Sequence, residues 1–313
     1  HPHWWRYKAE IETTSEIFFL FLGIYITVVG FLGIVGNSTV IYIFCSTASL
    51  RTPANVLVIN LAVCDLIFSS VAGFPMTSLS CFWQKWLWGV TGCKWYAFLC
   101  AATGLASINC LTAISIDRYL VITHPFFMLD KSSFKRVLFN MIVIWGWAVI
   151  WAMPPLFGWG DYIMEGFGVS CTFDYLTRTW ANISFNYSLI SFAFVVPLFI
   201  IVLCYVGIVR EVMRCGRPKE QQCYVKRFNR YNNRADNQNF RQEIQITRVL
   251  ACCVVSFCVC WMPYAIVTQI AISGFQDLVN PYMAEIPVML AKSSAIWNPI
   301  IYALSHPRYI NAL

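Results

Sequence analysis

Seven apolar runs, each long enough to cross a lipid bilayer, constrain the fold of this 313-residue chain more than any other feature. A run of about 18 or more apolar residues can span a hydrocarbon core of about 30 Å as a helix. Because lipid offers the backbone no hydrogen-bond partners, each run must pair its own amides and carbonyls. The sequence therefore predicts an all-α membrane protein, a bundle of seven transmembrane helices forming one domain over residues 1–313. The predicted spans lie near residues 17–45, 55–80, 93–122, 137–157, 185–209, 246–272 and 283–304.

Composition and charge agree with this prediction and orient the helices. Hydrophobic residues make up 58% of the chain and charged residues 12%, which is atypical of a soluble domain. If the N-terminus is extracellular, 16 of the 22 lysines and arginines fall on the cytoplasmic side, as the positive-inside rule requires. Basic cytoplasmic loops facing anionic lipid then account for the net charge of +7, and no nucleic-acid partner is predicted.

The segments between the spans follow from this orientation. Residues 1–16 are predicted to form the extracellular N-terminus, and residues 158–182 extracellular loop two. Residues 214–242 are polar, basic and rich in Asn and Gln, which indicates a mobile cytoplasmic loop three. Charged side chains continue to Glu16, so we expect no cleavable signal peptide and expect the first span to direct insertion. After the last span we expect the start of a cytoplasmic amphipathic helix, with a further tail beyond Leu313.

The 14 cysteines do not indicate a disulfide-rich fold, because most lie inside apolar runs, where cysteine behaves as a small buried hydrophobe. Only Cys81, Cys93 and Cys171 fall near the extracellular side, where a disulfide bond can persist. No cysteine or histidine cluster has metal-ligand spacing, so no metal site is predicted.

Ionisable residues at membrane depth indicate function, since burying a charge in lipid is costly. Asp65 lies in the second span, Asp117 and Arg118 end the third, and Lys292 lies in the seventh, within "AKSSAIWNPIIY". A purely structural lysine would pair with a carboxylate or extend to the membrane surface. Lys292 lies nearer the middle of its span than either end, which disfavours the second possibility. Prolines inside the spans predict kinks that can act as pivots; they are Pro154, Pro155, Pro197, Pro263 and Pro299.

Short motifs that occur once per span and in order carry a family resemblance. The chain resembles the rhodopsin-like class of G-protein-coupled receptors, and the resemblance covers essentially all of it. The motifs are Gly36 with Asn37, "NLAVCD" ending at Asp65, "DRY" at 117–119, Trp145, Pro197 with Tyr205, "CWMP" at 260–263 and "NPIIY" at 298–302.

Within that class, Lys292 lies six residues before Asn298, the position at which opsins attach retinal as a protonated Schiff base. The stretches "SLRTPANVLVINLAVCD" and "AISIDRYLVITHP" resemble the rhabdomeric opsins, the invertebrate visual and melanopsin-like branch, whose photoproducts keep their retinal. The resemblance implies a photoreceptor of the plasma membrane that is not an enzyme. It further implies that light converts 11-cis retinal to the all-trans form, and that the partners are a heterotrimeric G protein of the Gq type, arrestin and a receptor kinase.

A protonated Schiff base in an apolar site needs a nearby carboxylate to retain its proton. In vertebrate visual pigments this counterion lies three residues after the disulfide cysteine of the third helix, but that position is Tyr96 here. The resemblance implies a Cys93–Cys171 disulfide that holds loop two over the ligand, and Glu165, six residues before Cys171, then becomes the predicted counterion. Glu285 is the alternative, because it precedes Lys292 by seven residues, two helical turns. Its place near the extracellular end favours a solvated rim carboxylate, with a water-bridged second counterion as the other possibility.

The resemblance also assigns a retinal pocket. Aromatic side chains at helical spacing also form ordinary core, which is the alternative for Phe194 and Tyr175. Trp261 lies two residues before the kink at Pro263 and can convert a change in ligand shape into motion of the sixth helix. The implied pocket residues are Tyr96, Gly104, Tyr175, Phe194, Trp261 and Tyr264.

A cytoplasmic switch follows from the same motifs. Glu243, eighteen residues before Trp261, occupies the register that faces Arg118, so we expect a resting ion pair that opens when helix six moves outward. Arg118 and Phe126 are expected to contact the G protein, and Asn182 begins an "NIS" glycosylation sequon. The remaining switch residues are Asp117, Tyr119, Tyr205, Asn298, Pro299 and Tyr302, and the polar core is Asp65, Ser107 and Asn37.

Two other functions use the same lysine. One is a retinal photoisomerase of the retinochrome type, and the other is a chemoreceptor that has kept the lysine but binds a diffusible ligand. The intact "DRY", Glu243 and "NPIIY" favour a signalling receptor over both.

Overall fold

Membrane-length helices form a bundle closed on one side by a small β-hairpin. The computed structural model describes residues 1–124, 134–215, 235–305 and Tyr309.

The first two spans begin at local helix-start signals. Ser15 caps span one by accepting a hydrogen bond from the Ile17 amide, and Thr52 caps span two, which has Pro53 at its first position. The helical bounds are Glu16–Ser46 for span one, Pro53–Phe68 with the π-helical turn Ser69–Gly73 and Met76–Phe82 for span two, and Gly89–Thr123 for span three.

Span four leads into the extracellular hairpin, and the hairpin leads into span five. Strand β1, Tyr162–Glu165, pairs antiparallel with β2, Ser170–Phe173, so that Glu165 is opposite Ser170. Span four is Phe134–Ala152 with the 3₁₀ turn Pro154–Phe157, and span five is Trp180–Ser188, the π-helical segment Leu189–Val195 and Val196–Cys215.

Span seven is interrupted next to the membrane-depth lysine. Its first helix, Pro281–Lys292, is capped by Asn280 and ends at that lysine. The second helix, Ser294–Ser305, contains Pro299. Span six is Ala235–Ile270 with Pro263 inside it, followed by the π-helical turn Ala271–Phe275 and the 3₁₀ turn Gln276–Leu278.

These bounds confirm the predicted spans and extend several of them. Within the described residues, six spans are long and apolar enough to cross a membrane, and the seventh is divided at Ser293. Span six begins at Ala235 and span five at Trp180, inside the ranges predicted for loops three and two. Hydropathy misses such ends because the polar turns of a helix can project beyond the hydrocarbon. The predicted C-terminal amphipathic helix and the central part of loop three lie outside the described residues.

The outer surface of the bundle carries large apolar side chains, as a lipid-facing surface requires. Phe21 is 67% exposed, Phe139 64% and Val259 62%. Inside, the core is continuous through spans two, three and six, where Leu61, Leu111 and Cys253 are fully buried.

The N-terminal segment covers the extracellular end of the bundle. It forms the 3₁₀ helix Pro2–Tyr7 and the helix Lys8–Thr13. The Trp4 indole donates to the Met164 carbonyl in β1 over 3.2 Å, and the ring of His3 contacts the Val279 carbonyl at 2.9 Å. The segment and the hairpin therefore close one side of the molecule together.

Candidate functional site

An apolar cavity lies in the extracellular half of the bundle, under the hairpin. Spans two, three, five, six and seven all contribute to its wall, and β2 forms its roof through Cys171, Thr172 and Phe173. Its deeper wall includes Phe68, Phe257 and Trp261. An apolar space of this kind suits a long hydrophobic ligand.

Lys292 is the one lysine among the residues that line this cavity. The residue is 8% exposed, and among the described residues its Nζ has no hydrogen-bond partner. Nζ lies over the ring of Tyr96, 5.8 Å from its centroid. The structural alternative was a salt bridge to a carboxylate, and within the described residues Lys292 forms none. A buried amine without a partner is available to react with or bind a ligand.

A disulfide bond fixes the hairpin over the cavity. Cys93 at the start of span three is bonded to Cys171 in β2, with 5.6 Å between their Cα atoms. The implied pairing is confirmed. Both residues are buried, so the bond holds the hairpin against the bundle.

Glu165 ends β1 and is fully buried. Its Oε1 accepts a hydrogen bond from the Tyr175 hydroxyl over 2.8 Å, while Oε2 has no partner among the described residues. Burial, and then the neighbouring Glu285 carboxylate, raise the pKa of Glu165 to about 8, although the Tyr175 hydrogen bond and the charge of Lys292 lower it. A positive charge placed beside Glu165 would stabilise its ionised form.

Glu285 is fully buried, so the prediction of a solvated rim carboxylate is wrong. The turn of the hairpin covers it. A Cβ atom built on Gly166 would lie 2.9 Å from Glu285 Oε2 and 3.0 Å from the Pro281 carbonyl. Hydropathy along span seven could not reveal this cover, because it comes from a loop more than a hundred residues earlier in the chain.

Trp261 belongs to the deeper wall of the cavity. Its indole donates to the Ser294 hydroxyl in span seven over 3.1 Å. Gly104 of span three leaves room for it, since a Cβ there would lie 3.2 Å from Cη2 of the indole. Gly104 is therefore needed for the close approach of spans three and six.

Five of the six predicted pocket residues line the cavity, and Tyr175 is the exception. Tyr96, Gly104, Phe194, Trp261 and Tyr264 contribute to the wall. Tyr175 lies behind Glu165, with its hydroxyl on that carboxylate and its ring edge toward Tyr264 at a centroid distance of 6.4 Å. The resemblance implies a pocket role for Tyr175, and in the structure its hydroxyl contacts the Glu165 carboxylate while its ring lies outside the cavity wall.

Sequence reasoning missed several wall residues. Phe257 lies one turn before Trp261 and stacks on it at a centroid distance of 5.6 Å, so the helical period could have found it. Phe173 follows Cys171 by two positions on β2, the spacing of one strand face. Phe68 of span two carries no comparable signal, since only the packing of the helices brings it to the cavity.

The predicted polar core forms below the cavity. Asp65 Oδ1 accepts from the Ser107 hydroxyl over 2.9 Å, and Oδ2 accepts from the Asn298 amide over 2.7 Å. Asn37 joins this region differently, because its amide donates to the Ala295 carbonyl over 2.9 Å. That carbonyl is free because Pro299, four residues later, has no N–H to donate.

The predicted ion pair is present at the cytoplasmic end. Arg118 Nη1 donates to Glu243 Oε2 over 2.7 Å, and its Nη2 donates to the adjacent Asp117. Arg136 of span four lies 3.7 Å from the other oxygen of Asp117. The pair joins spans three and six where both are helical.

Three other predicted switch residues lie on spans three, five and seven. Tyr302 is buried in the core, and Tyr205 is half-buried against it. The ring of Tyr119 lies against Gly207 of span five, where an added Cβ would be 2.5 Å from it. Phe126 lies outside the described residues, so its predicted contact with a G protein stays a prediction.

Asn182 is a poor candidate for glycosylation. It is 4% exposed, and its amide nitrogen donates to the carbonyls of Asp174 and Thr177 over 2.6 and 2.9 Å. A glycan would replace one of the two hydrogens on that buried nitrogen and so break at least one of these bonds, and the geometry therefore argues against the sequon being used.

Comparison with known proteins agrees with the fold. The family described as "7 transmembrane receptor (rhodopsin family)" matches residues 36–302. The chain is 44% identical over its whole length to the protein "Rhodopsin, GQ-coupled" of Mizuhopecten yessoensis and 40% identical to the rhodopsin of Enteroctopus dofleini. It is 41% identical to the melanopsin of Mus musculus over 92% of this chain and 54% of that protein. The crystal structure of squid rhodopsin superposes with a TM-score of 0.93 at 40% identity, covering 100% of this chain and 87% of that one.

The chain belongs to the rhodopsin family of seven-transmembrane receptors, and it is a multi-pass membrane protein. Within that family the relatives named above are rhodopsins and a melanopsin, which confirms the resemblance to the rhabdomeric branch. The chain spans 62% of the length of the Mizuhopecten yessoensis relative and 68% of the Enteroctopus dofleini one.

Proposed function

We propose that this protein is a light-activated receptor that carries retinal on Lys292 and activates a heterotrimeric G protein of the Gq type. The observation that carries the proposal is the buried Lys292 amine, without a partner among the described residues, at the wall of an apolar cavity. The 44% identity to a relative named as a Gq-coupled rhodopsin supports the choice of G protein.

The residues present fit retinal. The wall is almost entirely apolar and aromatic, which suits a polyene, and it offers one primary amine for an aldehyde. Bound to Lys292 as a protonated Schiff base, retinal would supply a polyene that absorbs visible light and changes from 11-cis to all-trans.

The carboxylate of Glu165 would hold the proton on the Lys292 nitrogen. A buried cation loses its proton unless a negative charge lies nearby. Tyr96, in place of an acid on span three, cannot supply that charge near neutral pH. Glu165 is buried beside the cavity, and its free Oε2 leaves one oxygen able to accept a hydrogen bond.

Trp261 would pass a change of ligand shape to span six. It contacts the ligand space on one side and Ser294 of span seven on the other, and Pro263 lies half a turn away. A side chain packed this closely against Gly104 cannot absorb a longer ligand without moving. Its displacement would rotate span six about the bend at Pro263.

Outward movement of span six would break the Arg118–Glu243 pair and open a cytoplasmic cleft. The walls of this cleft include Arg118, Glu243 and Tyr302. A cleft between helix ends suits an amphipathic helix from the G-protein α subunit. Arrestin and a receptor kinase would approach the same side, and the protein would act in the plasma membrane of a photoreceptor.

Absorption spectroscopy tests the proposal. Purified protein incubated with 11-cis retinal should acquire a visible band, and Lys292→Ala should abolish it. Lys94→Ala is the matched control, since Lys94 pairs with Asp161 at 3.0 Å outside the cavity and its loss should leave the band intact. A band that survives in Lys292→Ala, or that never forms in the wild type, would overturn the assignment.

Nucleotide exchange tests the signalling step. Illuminated protein should accelerate exchange on purified Gq more than on Gi. Light-dependent conversion of retinal with no exchange on either G protein would instead indicate a photoisomerase.

A further inference from the structure

Glu285 is a second buried acid close to Lys292, and the proposed function gives it no role. It lies seven residues earlier on the same helix, two turns or about 10.5 Å along the axis. It is fully buried, and neither carboxylate oxygen has a hydrogen-bond partner among the described residues. A buried carboxylate without partners is costly, so a structural role alone does not explain it.

The hairpin brings Glu165 and Glu285 into one enclosed region. Gly166, the residue after Glu165, would place a Cβ 2.9 Å from Glu285 Oε2. The turn passes directly over the Glu285 carboxylate at this point. The Gly166 backbone has φ +47°, a left-handed conformation that glycine tolerates. The Phe167 amide and the Ser170 hydroxyl interact with Glu285 from the same turn, but neither satisfies its oxygens.

The charges in this region do not balance if every group is ionised. Two carboxylates face one amine, which leaves one negative charge in excess. Five other titratable side chains interact electrostatically with Glu165, Glu285 or Lys292, and all five are cysteines or tyrosines, which are neutral near pH 7. They are Cys81, Cys100, Tyr96, Tyr175 and Tyr264. No further cation of the described chain has such an effect on Glu165 or Glu285.

Two buried carboxyl groups that share a site resolve such an excess by keeping one proton between them. We propose that Glu285 is a second acid of the Lys292 site, and that Glu165 and Glu285 together hold one proton whenever the Lys292 nitrogen is charged. For the pigment, this inference rests on the proposed function. Removing the shared proton would add one negative charge beside the ligand, so the site would exist in two protonation forms.

The environment of Glu165 agrees with this sharing. Its pKa is raised to about 8 by burial and then by Glu285, so the proton is retained at neutral pH and lost as the pH rises through that value. The charge of Lys292 acts in the opposite direction and lowers the pKa of Glu165, because a nearby cation favours the ionised carboxylate.

Infrared spectroscopy of the retinal-free protein tests the shared proton without any pigment. Labelling glutamate with carbon-13 separates these carboxyl groups from buried Asp65. We expect one protonated glutamate carboxyl band near neutral pH that disappears in alkaline buffer. Either Glu165→Gln or Glu285→Gln should remove it, whereas Lys292→Ala should increase it about twofold, because the cation that keeps one acid ionised is gone. Asp65→Asn is the control and should leave the band unchanged.

The wild-type titration requires no substitution, so the test stands even if a variant fails to fold. Absence of a labelled carboxyl band in the wild type would overturn the inference. A band that survives in Glu285→Gln would overturn it as well.

The pigment gives a second test that separates this inference from the proposed function. With 11-cis retinal, each single variant should keep a visible band but lose the spectral change that the wild type shows on alkaline titration. The double variant Glu165→Gln/Glu285→Gln should absorb in the ultraviolet. If Glu165→Gln alone moves the band to the ultraviolet and Glu285→Gln matches the wild type, Glu165 acts alone and the inference fails. If no protein forms a Lys292-dependent band, the proposed function fails, and the infrared result still decides the inference.

Discussion

The hydroxyl of Tyr175 donates a hydrogen bond to Glu165 Oε1 over 2.8 Å, at the end of β1 and outside the wall of the cavity. This contact makes Tyr175 a partner of the proposed counterion. It stabilises the ionised carboxylate, and so it opposes the effect of burial.

Tyr175→Phe should therefore raise the pKa of Glu165. A hydrogen bond to a charged group contributes about 1.5 kcal/mol, or about one pH unit. The alkaline spectral change of the pigment should move to higher pH by about that amount, measured by absorption titration. Tyr162→Phe is the control, since it removes a buried hydroxyl that donates to the Ala152 carbonyl. An unshifted titration in Tyr175→Phe would show that the bond does not act on the site.

Gly104→Ala should hinder uptake of retinal. Its new methyl group would lie 3.2 Å from the Trp261 indole, which must then move toward the ligand space. We expect a slower and less complete rise of the visible band after addition of 11-cis retinal. Gly146→Ala is the matched control, because a Cβ there meets nothing within 4 Å. Equal rates in the two variants would contradict the close approach of spans three and six.

Glu243→Gln should raise activity in the dark. The Arg118–Glu243 pair is partly shielded, with side-chain exposures of 9% and 30%, so its loss should favour the open form by about 1 kcal/mol. That corresponds to about a fivefold rise in nucleotide exchange on Gq without light. Glu211→Gln removes an acid from span five at the same end and should change little. If the two variants show equal exchange in the dark, the Arg118–Glu243 pair does not control the switch.

Replacing both Cys93 and Cys171 by serine should destabilise the protein by about 2–5 kcal/mol. The hairpin that covers Glu285 would no longer be held to span three. We expect a lower midpoint of thermal unfolding and less pigment formed, measured on purified protein. Cys45→Ser changes an exposed free cysteine and provides the control. Wild-type behaviour of the double variant would mean that packing alone holds the hairpin.

The seven spans, their orientation and the motif residues follow from the amino-acid sequence alone. These features are local: an apolar run must be helical in lipid, and the spacing from Lys292 to Asn298 is the same before and after folding. The Arg118–Glu243 pair, the disulfide bond and the Asp65–Asn298 contact were expected from the resemblance, and each is present.

The surroundings of the two glutamates depend on how distant segments pack together in the folded protein. Glu285 was expected at a solvated rim because its place on span seven is near an end, yet the turn at Gly166 buries it completely. Tyr175 was expected in the wall and instead contacts Glu165. Burial and electrostatic environment depend on which distant segments meet, and helical periodicity holds no information about the path of a loop. The fold of the hairpin therefore set the place of Glu165 and the burial of Glu285.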